Sequence, residues 1–274
     1  MKTAFTLSAL FATAAAFAPA KQQAASSSRL FESVEAEMEA EVAPPPPPSS
    51  KEVLEEFAGK LNPIVKFYDP MGLADGDFWD TGDDATIGWL RHSEIKHGRV
   101  AMAAFVGYCV QSNFIFPWPQ HLDGTTGPST DLSPEQQWDA IPEAAKWQIF
   151  GLIALLEIWD ETSSSRGIPH YMNGRKPGAY PSAEPFRKNV HFALDLYDPF
   201  GFTKNRSEEA KARGLVAETN NGRLAMLGIF GFLSADKVPG SVPILDSLGV
   251  TKPYDGNIMI PFEGNFHLDG LSAF

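Results

Sequence analysis

Basic residues, cysteines and long apolar runs are all scarce in this 274-residue chain. Lys and Arg total 22 against 34 Asp and Glu, and a nucleic-acid-binding protein needs a basic face that this balance does not supply. The one cysteine, Cys109, excludes an intramolecular disulfide framework and a zinc site built on cysteines. The mean hydropathy is −0.17, and no stretch supplies the roughly 18 uncharged apolar residues of an ordinary membrane-spanning helix.

Acidic residues are absent from the first 31 positions, although three basic residues occur there. Residues 1–16 resemble a signal sequence, and the serine-rich residues 17–31 resemble a plastid transit peptide. We therefore expect residues 1–31 to be a two-part plastid targeting presequence, with an ordinary secretory signal as the alternative. Residues 32–63 are expected to form an acidic and proline-rich N-terminal arm before the folded domain, and its first part, residues 32–50, should be extended.

One sequence motif occurs twice at a constant offset. Residues 94–102 read Glu-Ile-Lys-His-Gly-Arg-Val-Ala-Met, and residues 218–226 read Glu-Thr-Asn-Asn-Gly-Arg-Leu-Ala-Met. The flanking loops also recur, as Tyr-Asp-Pro-x-Gly at 68–72 and 197–201 and as His-Leu-Asp-Gly at 121–124 and 267–270. A unit of loop, helix and loop therefore occurs twice, which indicates an internal duplication.

Residues 64–274 are predicted to form one all-α membrane domain with three transmembrane helices, at about 89–114, 142–162 and 214–236. At 1.5 Å per residue, the first and third helices are long enough to cross a hydrocarbon core about 30 Å thick. The duplication relates the first helix to the third, and the middle helix has no copy. A pair of soluble helices is the alternative, but it leaves the apolar stretches after each motif without a core.

Each duplicated helix carries an acid and a base where a membrane helix should be apolar. An unpaired charge there costs several kcal/mol, so each should have a partner. Glu94 and Arg99 lie about 140° apart around their helix and cannot easily neutralise each other. Reciprocal pairing across the crossed helices, Glu94 with Arg223 and Glu218 with Arg99, neutralises all four charges if a two-fold axis relates the helices.

Small residues occupy matching positions on the two helices and would permit a close crossing. At a three-residue spacing they wind around the helix, so that some should meet the other helix and others should leave flat recesses. The matching sets are Gly98, Ala101, Ala104 and Gly107 in the first helix and Gly222, Ala225, Gly228 and Gly231 in the third.

Potential metal ligands share one side of each duplicated helix, because His97 follows Glu94 by three residues and Asn221 follows Glu218 by three. One interpretation is a di-iron carboxylate enzyme that uses Glu94, His97 and Glu218, although the sequence is short of the further acids that such a site needs. The other interpretation is that each of these residues binds a separate metal ion, which is held inside a macrocycle. A magnesium porphyrin-type ring needs one axial ligand, and a glutamate can serve if an arginine cancels its charge.

The two motifs resemble the first and third membrane helices of the light-harvesting chlorophyll-binding protein family. With the presequence, the chain resembles the fucoxanthin chlorophyll a/c branch of that family, from diatoms and related algae, over roughly residues 64–270. The resemblance implies a thylakoid antenna that is not an enzyme and that binds chlorophyll a, chlorophyll c and fucoxanthin, with diadinoxanthin as a further candidate. Its expected partners are a photosystem I or II core, other antenna subunits and thylakoid lipids. A photoprotective member that dissipates excitation is the alternative within the family.

Carried over by position, the resemblance implies which residues bind pigment. The expected axial ligands of chlorophyll magnesium are Glu94, His97, Gln148, Glu157, Glu218 and Asn221, and further candidates are Gln111, His121 and His267. A glutamine that the family often has late in the third helix is replaced here by Ala235. Carotenoid head groups are expected at the duplicated loops, on Tyr68, Asp69, Pro70, Tyr197, Asp198 and Pro199.

Overall fold

The computed structural model describes residues 48–119, 123–124, 127–182, 188, 205–258 and 260–262. Within these ranges the regular secondary structure is helical. The α-helices are α1 (Ser50–Leu61), α2 (Asp83–Asn113), α3 (Pro134–Ala140), α4 (Glu143–Glu161), α5 (Glu208–Lys237) and α6 (Pro243–Ser247). Three short 3₁₀ helices lie at Leu73–Asp75, Thr162–Arg166 and Tyr171–Asn173. The predicted presequence lies outside the described residues.

Helix α1 forms the last part of the predicted N-terminal arm, after its proline-rich stretch. Ser49 and Glu52 form a capping box, in which each side chain accepts a hydrogen bond from the other residue's backbone N–H. Lys60 also pairs with Glu56 one turn away, at 2.6 Å. Local capping and pairing therefore favour a helix over residues 50–61, in the part of the predicted arm that follows the proline-rich stretch.

The two long helices begin earlier than the sequence predicts. Helix α2 begins at Asp83 rather than near residue 89, and α5 begins at Glu208 rather than near residue 214. Both first turns are acidic, which complements the positive end of the helix dipole, and the Ser207 side chain caps α5 by accepting from the Ala210 N–H at 3.2 Å. Helix α4 lies within one residue of its predicted bounds at each end.

Helices α2 and α5 cross in backbone contact at two glycines from equivalent positions of the motif. A Cβ atom on Gly98 would lie 3.0 Å from the Gly222 Cα, and one on Gly222 would lie 2.9 Å from the Gly98 Cα. Further along, the Phe105 ring occupies the space beside Gly228. Phe105 also stacks on Phe232, with ring centroids 5.0 Å apart. The small residues therefore set how closely the two helices approach.

Other small residues of the two motifs face open space. Among the described residues, no heavy atom lies within 4 Å of the position that a Cβ on Gly107 or Gly231 would occupy, backbone neighbours aside. Both glycines lie beyond the crossing point, towards the C-terminal ends of their helices. The two copies of the motif thus leave a recess in the surface of each helix.

Helix α4 is anchored mainly at its ends. Near its C-terminal end it pairs with α2, and near its N-terminal end Trp147 and Phe150 pack against Phe262. Within the described ranges no extensive packing joins α4 to α5.

Large apolar side chains stay exposed along the middle of all three long helices. They include Val100 and Val106 on α2, Leu152, Ile153 and Leu155 on α4, and Leu224, Leu227 and Phe230 on α5. In the described part of the chain, no helix is both long and apolar enough to cross a membrane. The apolar surface of these helices is therefore available to molecules other than this chain.

Gly98→Ala and Gly222→Ala should each weaken the helix crossing, because the added methyl group would clash with backbone atoms of the other helix, which cannot move away as a flexible side chain can. We expect each change to lower the free energy of unfolding by about 1–3 kcal/mol. Gly107→Ala is the matched control, since its methyl group would meet open space. Chemical unfolding followed by circular dichroism measures the difference, and equal stability of the Gly98 and Gly107 variants would contradict the account.

Candidate functional site

Two ion pairs join α2 to α5 on either side of the glycine crossing. Arg99 Nε donates to Glu218 Oε1 at 2.6 Å. Arg223 donates to Glu94 Oε1 from both Nε and Nη2, each at 2.7 Å. These are the reciprocal partners that the duplicated motif predicts. Each glutamate therefore meets its counter-charge on the other helix.

The two glutamates differ in how many cations they face. Glu94 also accepts a hydrogen bond from Arg91 through its second oxygen, so that two guanidinium groups share one carboxylate. Glu218 has one cationic partner among the described residues, and that partner, Arg99, also donates from Nη1 to the Gly178 carbonyl at 2.6 Å. The sequence reasoning missed Arg91, although its spacing of three residues from Glu94 on a helix was a usable signal.

Three expected ligands lie on an exposed helix surface, and each has a nitrogen or oxygen atom whose lone pair could bind a metal. His97 Nδ1 lies 2.8 Å from the Ser93 carbonyl, which can only accept, so Nδ1 carries a proton and Nε2 is the ring nitrogen left to bind a metal. Gln148 donates its amide N–H to the Ala144 carbonyl at 3.2 Å, which leaves its amide oxygen to accept. Asn221 is also exposed. All three atoms are uncharged and could each bind one metal ion.

Glu157 on α4 has its charge neutralised by a residue that the sequence reasoning did not identify. Lys96 Nζ lies 2.6 Å from Glu157 Oε2 and 2.8 Å from Asp160 Oδ2. The Tyr180 hydroxyl donates to the other Glu157 oxygen at 3.2 Å. Lys96 lies inside the first motif, two residues after Glu94. Lys96 therefore neutralises the glutamate of the middle helix, as Arg99 and Arg223 neutralise those of α5 and α2.

Asp160 is the buried hub that holds the end of α4 against α2. Its side chain is 0% exposed and accepts hydrogen bonds from His92 Nε2, at 2.9 Å, and from Arg175 Nη2. The Gly178 N–H donates to His92 Nδ1 at 3.1 Å. Because that nitrogen accepts, His92 is neutral and both of its ring nitrogens are committed. His92 therefore orders the helix junction and has no lone pair for a metal.

Tyr171 covers this hub on its outer side. Its ring stacks on the His92 ring with centroids 3.9 Å apart, and its hydroxyl donates to Glu161 at 2.9 Å. Burial, helped by the adjacent Glu161 carboxylate, raises the pKa of the Tyr171 hydroxyl to about 12. The hydroxyl therefore stays protonated, and keeps donating to Glu161, throughout the physiological pH range.

The remaining predicted residues differ in exposure, and several of them lie outside the described ranges. The Gln111 side chain is exposed at the end of α2, whereas Ala235 is buried and leaves no open surface for a ligand. In the first loop Tyr68 is exposed, and Asp69 accepts from the backbone N–H groups of Ala74 and Leu73, which lowers the pKa of its carboxyl. The predictions for His121, His267, Tyr197, Asp198 and Pro199 lie outside the described residues.

No di-iron centre is assembled in the described ranges. They contain no group of three or more His, Cys, Asp or Glu side chains arranged to hold a metal ion. Glu94 and Glu218 are each directed at an arginine of the opposite helix, so they do not converge with His97 on one point. The geometry therefore favours separate single-residue ligands.

Residues 53–237 match the sequence model of a family described as Chlorophyll A-B binding protein. The chain is 32% identical to the fucoxanthin-chlorophyll a-c binding protein, chloroplastic, of Trieres chinensis, over 68% of this chain and 81% of the relative. It is 31% identical to fucoxanthin-chlorophyll a-c binding protein B, chloroplastic, of Phaeodactylum tricornutum, over 82% of this chain and 89% of that protein. Protein C of the same organism is 29% identical over 85% of this chain and 94% of its own length.

Arg99→Leu should destabilise the fold more than Arg223→Leu, because Glu218 would lose its one cation while Glu94 would keep Arg91. We expect Arg99→Leu to cost about 2 kcal/mol, below the figure for a fully buried pair because the two side chains are 32% and 30% exposed. Thermal unfolding of the purified variants measures the difference. The double variant Arg99→Leu/Glu218→Leu should regain part of the loss. Equal losses for the two single variants would contradict this asymmetry.

Proposed function

Because the chain belongs to the chlorophyll a/b-binding protein family, we propose that it is a light-harvesting antenna protein of the fucoxanthin–chlorophyll a/c type. It binds chlorophyll a, chlorophyll c and fucoxanthin, with diadinoxanthin as a further candidate carotenoid. It absorbs light and transfers the excitation energy to a photosystem core. The protein makes and breaks no bond in this process, since its task is to hold pigments at fixed distances and orientations. The names of its relatives and the family match support this function.

The set of charge-compensated donor atoms on the helix surfaces is the observation that carries the proposal. The magnesium in a chlorophyll ring is already neutralised by the macrocycle, so its axial ligand should be neutral or have its charge cancelled nearby. Magnesium is a hard cation that prefers oxygen donors, and the magnesium of a chlorophyll ring can also accept an imidazole nitrogen. The imidazole of His97 and the amide of Gln148 are neutral, and Glu157 is paired with Lys96 at 2.6 Å. One chemical requirement thus accounts for several different residue types.

We assign the axial ligands to the same six residues that the family resemblance implies. Each carboxylate oxygen has more than one lone pair, so a glutamate can accept from its cation and still bind magnesium. Gln111, His121 and His267 are further proposed ligands. The assigned residues are Glu94, His97, Gln148, Glu157, Glu218 and Asn221.

The space around the helices suits flat macrocycles and long carotenoids. The recesses at Gly107 and Gly231 and the exposed apolar side chains of α2, α4 and α5 offer surfaces against which rings and phytyl chains can pack. The partial separation of α4 from α5 leaves room between them. The duplicated loops at 68–70 and 197–199 are the proposed contacts for carotenoid head groups.

We further propose that α2, α4 and α5 cross the thylakoid membrane of a plastid and that α2 and α5 arose by duplication. A hydropathy average gives the motif charges full weight, but each is compensated by a partner, so they cost less in a bilayer than isolated charges. The exposed apolar side chains would then contact lipid and pigment. Residues 1–31 would direct the chain to the plastid, in keeping with relatives whose names include the word chloroplastic. A photosystem I or II core, other antenna subunits and thylakoid lipids would be its neighbours.

Fluorescence excitation spectroscopy of the purified pigment–protein tests the antenna function. Detected at the chlorophyll a emission, the excitation spectrum should contain bands of chlorophyll c and of the carotenoid, because bound pigments lie close enough to transfer energy. Heating the sample until the helices unfold should abolish those bands and serves as the control. A protein isolated without chlorophyll, or one with no carotenoid band in its excitation spectrum, would contradict the proposal.

Replacing single ligands should remove single pigments. We expect His97→Ala and Asn221→Ala each to lose about one chlorophyll per protein, because each side chain supplies one axial donor. Asn113→Ala is the control, since Asn113 is exposed at the end of α2 and donates to the Cys109 carbonyl of its own helix. Pigment extraction and quantification against protein give the stoichiometry. Unchanged chlorophyll content in both ligand variants would overturn the assignment.

A further inference from the structure

Three exposed aromatic rings meet at the N-terminal end of α2, and we call them the N-terminal aromatic cluster. The Trp79 ring lies between those of Phe78 and Trp89, with centroid distances of 6.0 and 5.0 Å. Trp89 is in the second turn of α2, and the other two rings belong to the loop before the helix. The three residues are 38–56% exposed, so the rings pack on one another and still present apolar surface to their surroundings.

A second group of three rings, the C-terminal aromatic cluster, lies where α2 ends. Phe114 directly follows the last residue of the helix. Phe116 packs edge-on against Phe114 with ring centroids 5.1 Å apart, and it stacks on Trp118 at 4.4 Å with the two ring planes 2° from parallel. These residues are 50–58% exposed. Both ends of one long helix therefore carry an exposed aromatic surface.

The tryptophans of the two clusters have free N–H groups. In the part of the chain that the structure describes, the indole N–H groups of Trp79, Trp89 and Trp118 donate to no protein oxygen. By contrast, Trp138 and Trp147 donate to protein oxygens at 3.1 and 3.2 Å. An indole joins a large apolar ring to one polar N–H, which is why tryptophan favours the boundary between hydrocarbon and lipid headgroups. The free N–H groups of the clusters therefore suit acceptors in a headgroup region.

The distance between the clusters matches the thickness of a bilayer. Trp89 and Phe114 lie 25 residues apart, which is about 37 Å along the helix axis at 1.5 Å per residue. A tilt of about 20°, which is usual for membrane helices, shortens this separation to about 35 Å. The hydrocarbon core of a bilayer is about 30 Å thick, and about 40–45 Å with its headgroup regions. Two surfaces with this spacing fall inside the two headgroup regions, whereas contacts with a pigment or a protein partner would not require it.

We propose that the two clusters anchor α2 in the opposite headgroup regions of a lipid bilayer and so fix the depth at which the helix crosses. Arg99 then lies about 15 Å along the axis from Trp89 and about 22 Å from Phe114, which places the Arg99–Glu218 pair near the bilayer centre. An unpaired charge costs most at that depth, so the pairing has its greatest effect there. This inference rests on the proposed membrane location of the protein.

Electron paramagnetic resonance of a spin label on Cys109 measures the depth, because Cys109 is the single cysteine of the chain and is exposed. The pigment-loaded protein is placed in dioleoylphosphatidylcholine vesicles, and collisions of the label with oxygen and with a water-soluble nickel chelate are compared. Cys109→Ser combined with Val100→Cys or with Thr81→Cys provides two further labels at exposed positions. Collisions with oxygen should dominate most at Val100 and less at Cys109, and collisions with nickel should dominate at Thr81. Equal nickel access at Cys109 and Thr81 would overturn the proposal.

Replacing the rings tests the anchors themselves. Phe116→Ser with Trp118→Ser should let the C-terminal end of α2 move towards water, because a hydroxyl group prefers it. The Cys109 label should then move outward by several ångströms, seen as a higher ratio of nickel to oxygen collisions. Phe78→Ser with Trp79→Ser at the other end should draw the same label deeper and lower that ratio. Unchanged depth in both double variants, or shifts in the same direction, would overturn the proposal.

Phe230→Ser is the matched control, because it makes the same chemical change at an exposed position in the middle of α5. The depth of the Cys109 label should not change in this variant, and a shift as large as those of the double variants would contradict the assignment. Circular dichroism of all variants checks that the helices are retained.

Pigment content and excitation spectra of the same samples separate this inference from the proposed function. A double variant that loses pigment while its label stays at the wild-type depth would show that the cluster holds a pigment, and would overturn the anchor. Wild-type protein that keeps its pigments and energy transfer but fails the depth test would overturn the anchors alone. Protein without pigments would overturn the antenna function.

Discussion

The reciprocal pairing of two glutamates with two arginines across the α2–α5 crossing is the interaction on which the rest of the structure depends. The acid and the base of each motif point about 140° apart around their helix, so Arg99, Arg223 and Glu218 find their partners on the other helix, and Glu94 takes Arg223 in addition to Arg91 of its own helix. Gly98 and Gly222 allow that approach, since each would place a Cβ about 3 Å from the other's backbone. The pairing fixes the helices and at the same time leaves the glutamates compensated. A carboxylate in that state can bind a neutral magnesium macrocycle without stranding a charge in an apolar environment.

The same solution recurs at the middle helix with different residues. Lys96 and Arg175 together balance Glu157 and Asp160, and the buried Asp160 ties α4 to α2 through His92. This attachment is confined to one end of α4. It holds the helix at a fixed place while leaving apolar surface for pigments along the rest of its length. Structural polar groups are thus buried at the helix junctions, and the donor atoms proposed for magnesium lie on the outer surfaces.

Much of the helix crossing could be predicted from the sequence because a similar motif occurs twice. Each copy of the motif has a glutamate and an arginine at equivalent positions, so the glutamate of one helix can pair with the arginine of the other. The glycine that both copies share indicates where the two helices touch. Arg91 was predictable in principle from its position one turn before Glu94. The role of Arg175 was not, because it depends on the path of the loop that follows α4. Helix α1 was missed because the proline-rich composition before it concealed a short capping box at Ser49 and Glu52.

The central claim is that charge-compensated and neutral donor atoms on these helices bind chlorophyll magnesium, and a pigment-resolved cryo-EM structure of the native protein tests it most directly. A chlorophyll is expected on each of His97 and Asn221, with its magnesium bound directly to the His97 Nε2 and to the Asn221 amide oxygen. The Arg99–Glu218 and Arg223–Glu94 pairs are also expected to persist beside the rings. Macrocycles held elsewhere, with these donor atoms facing lipid or solvent, would contradict the claim.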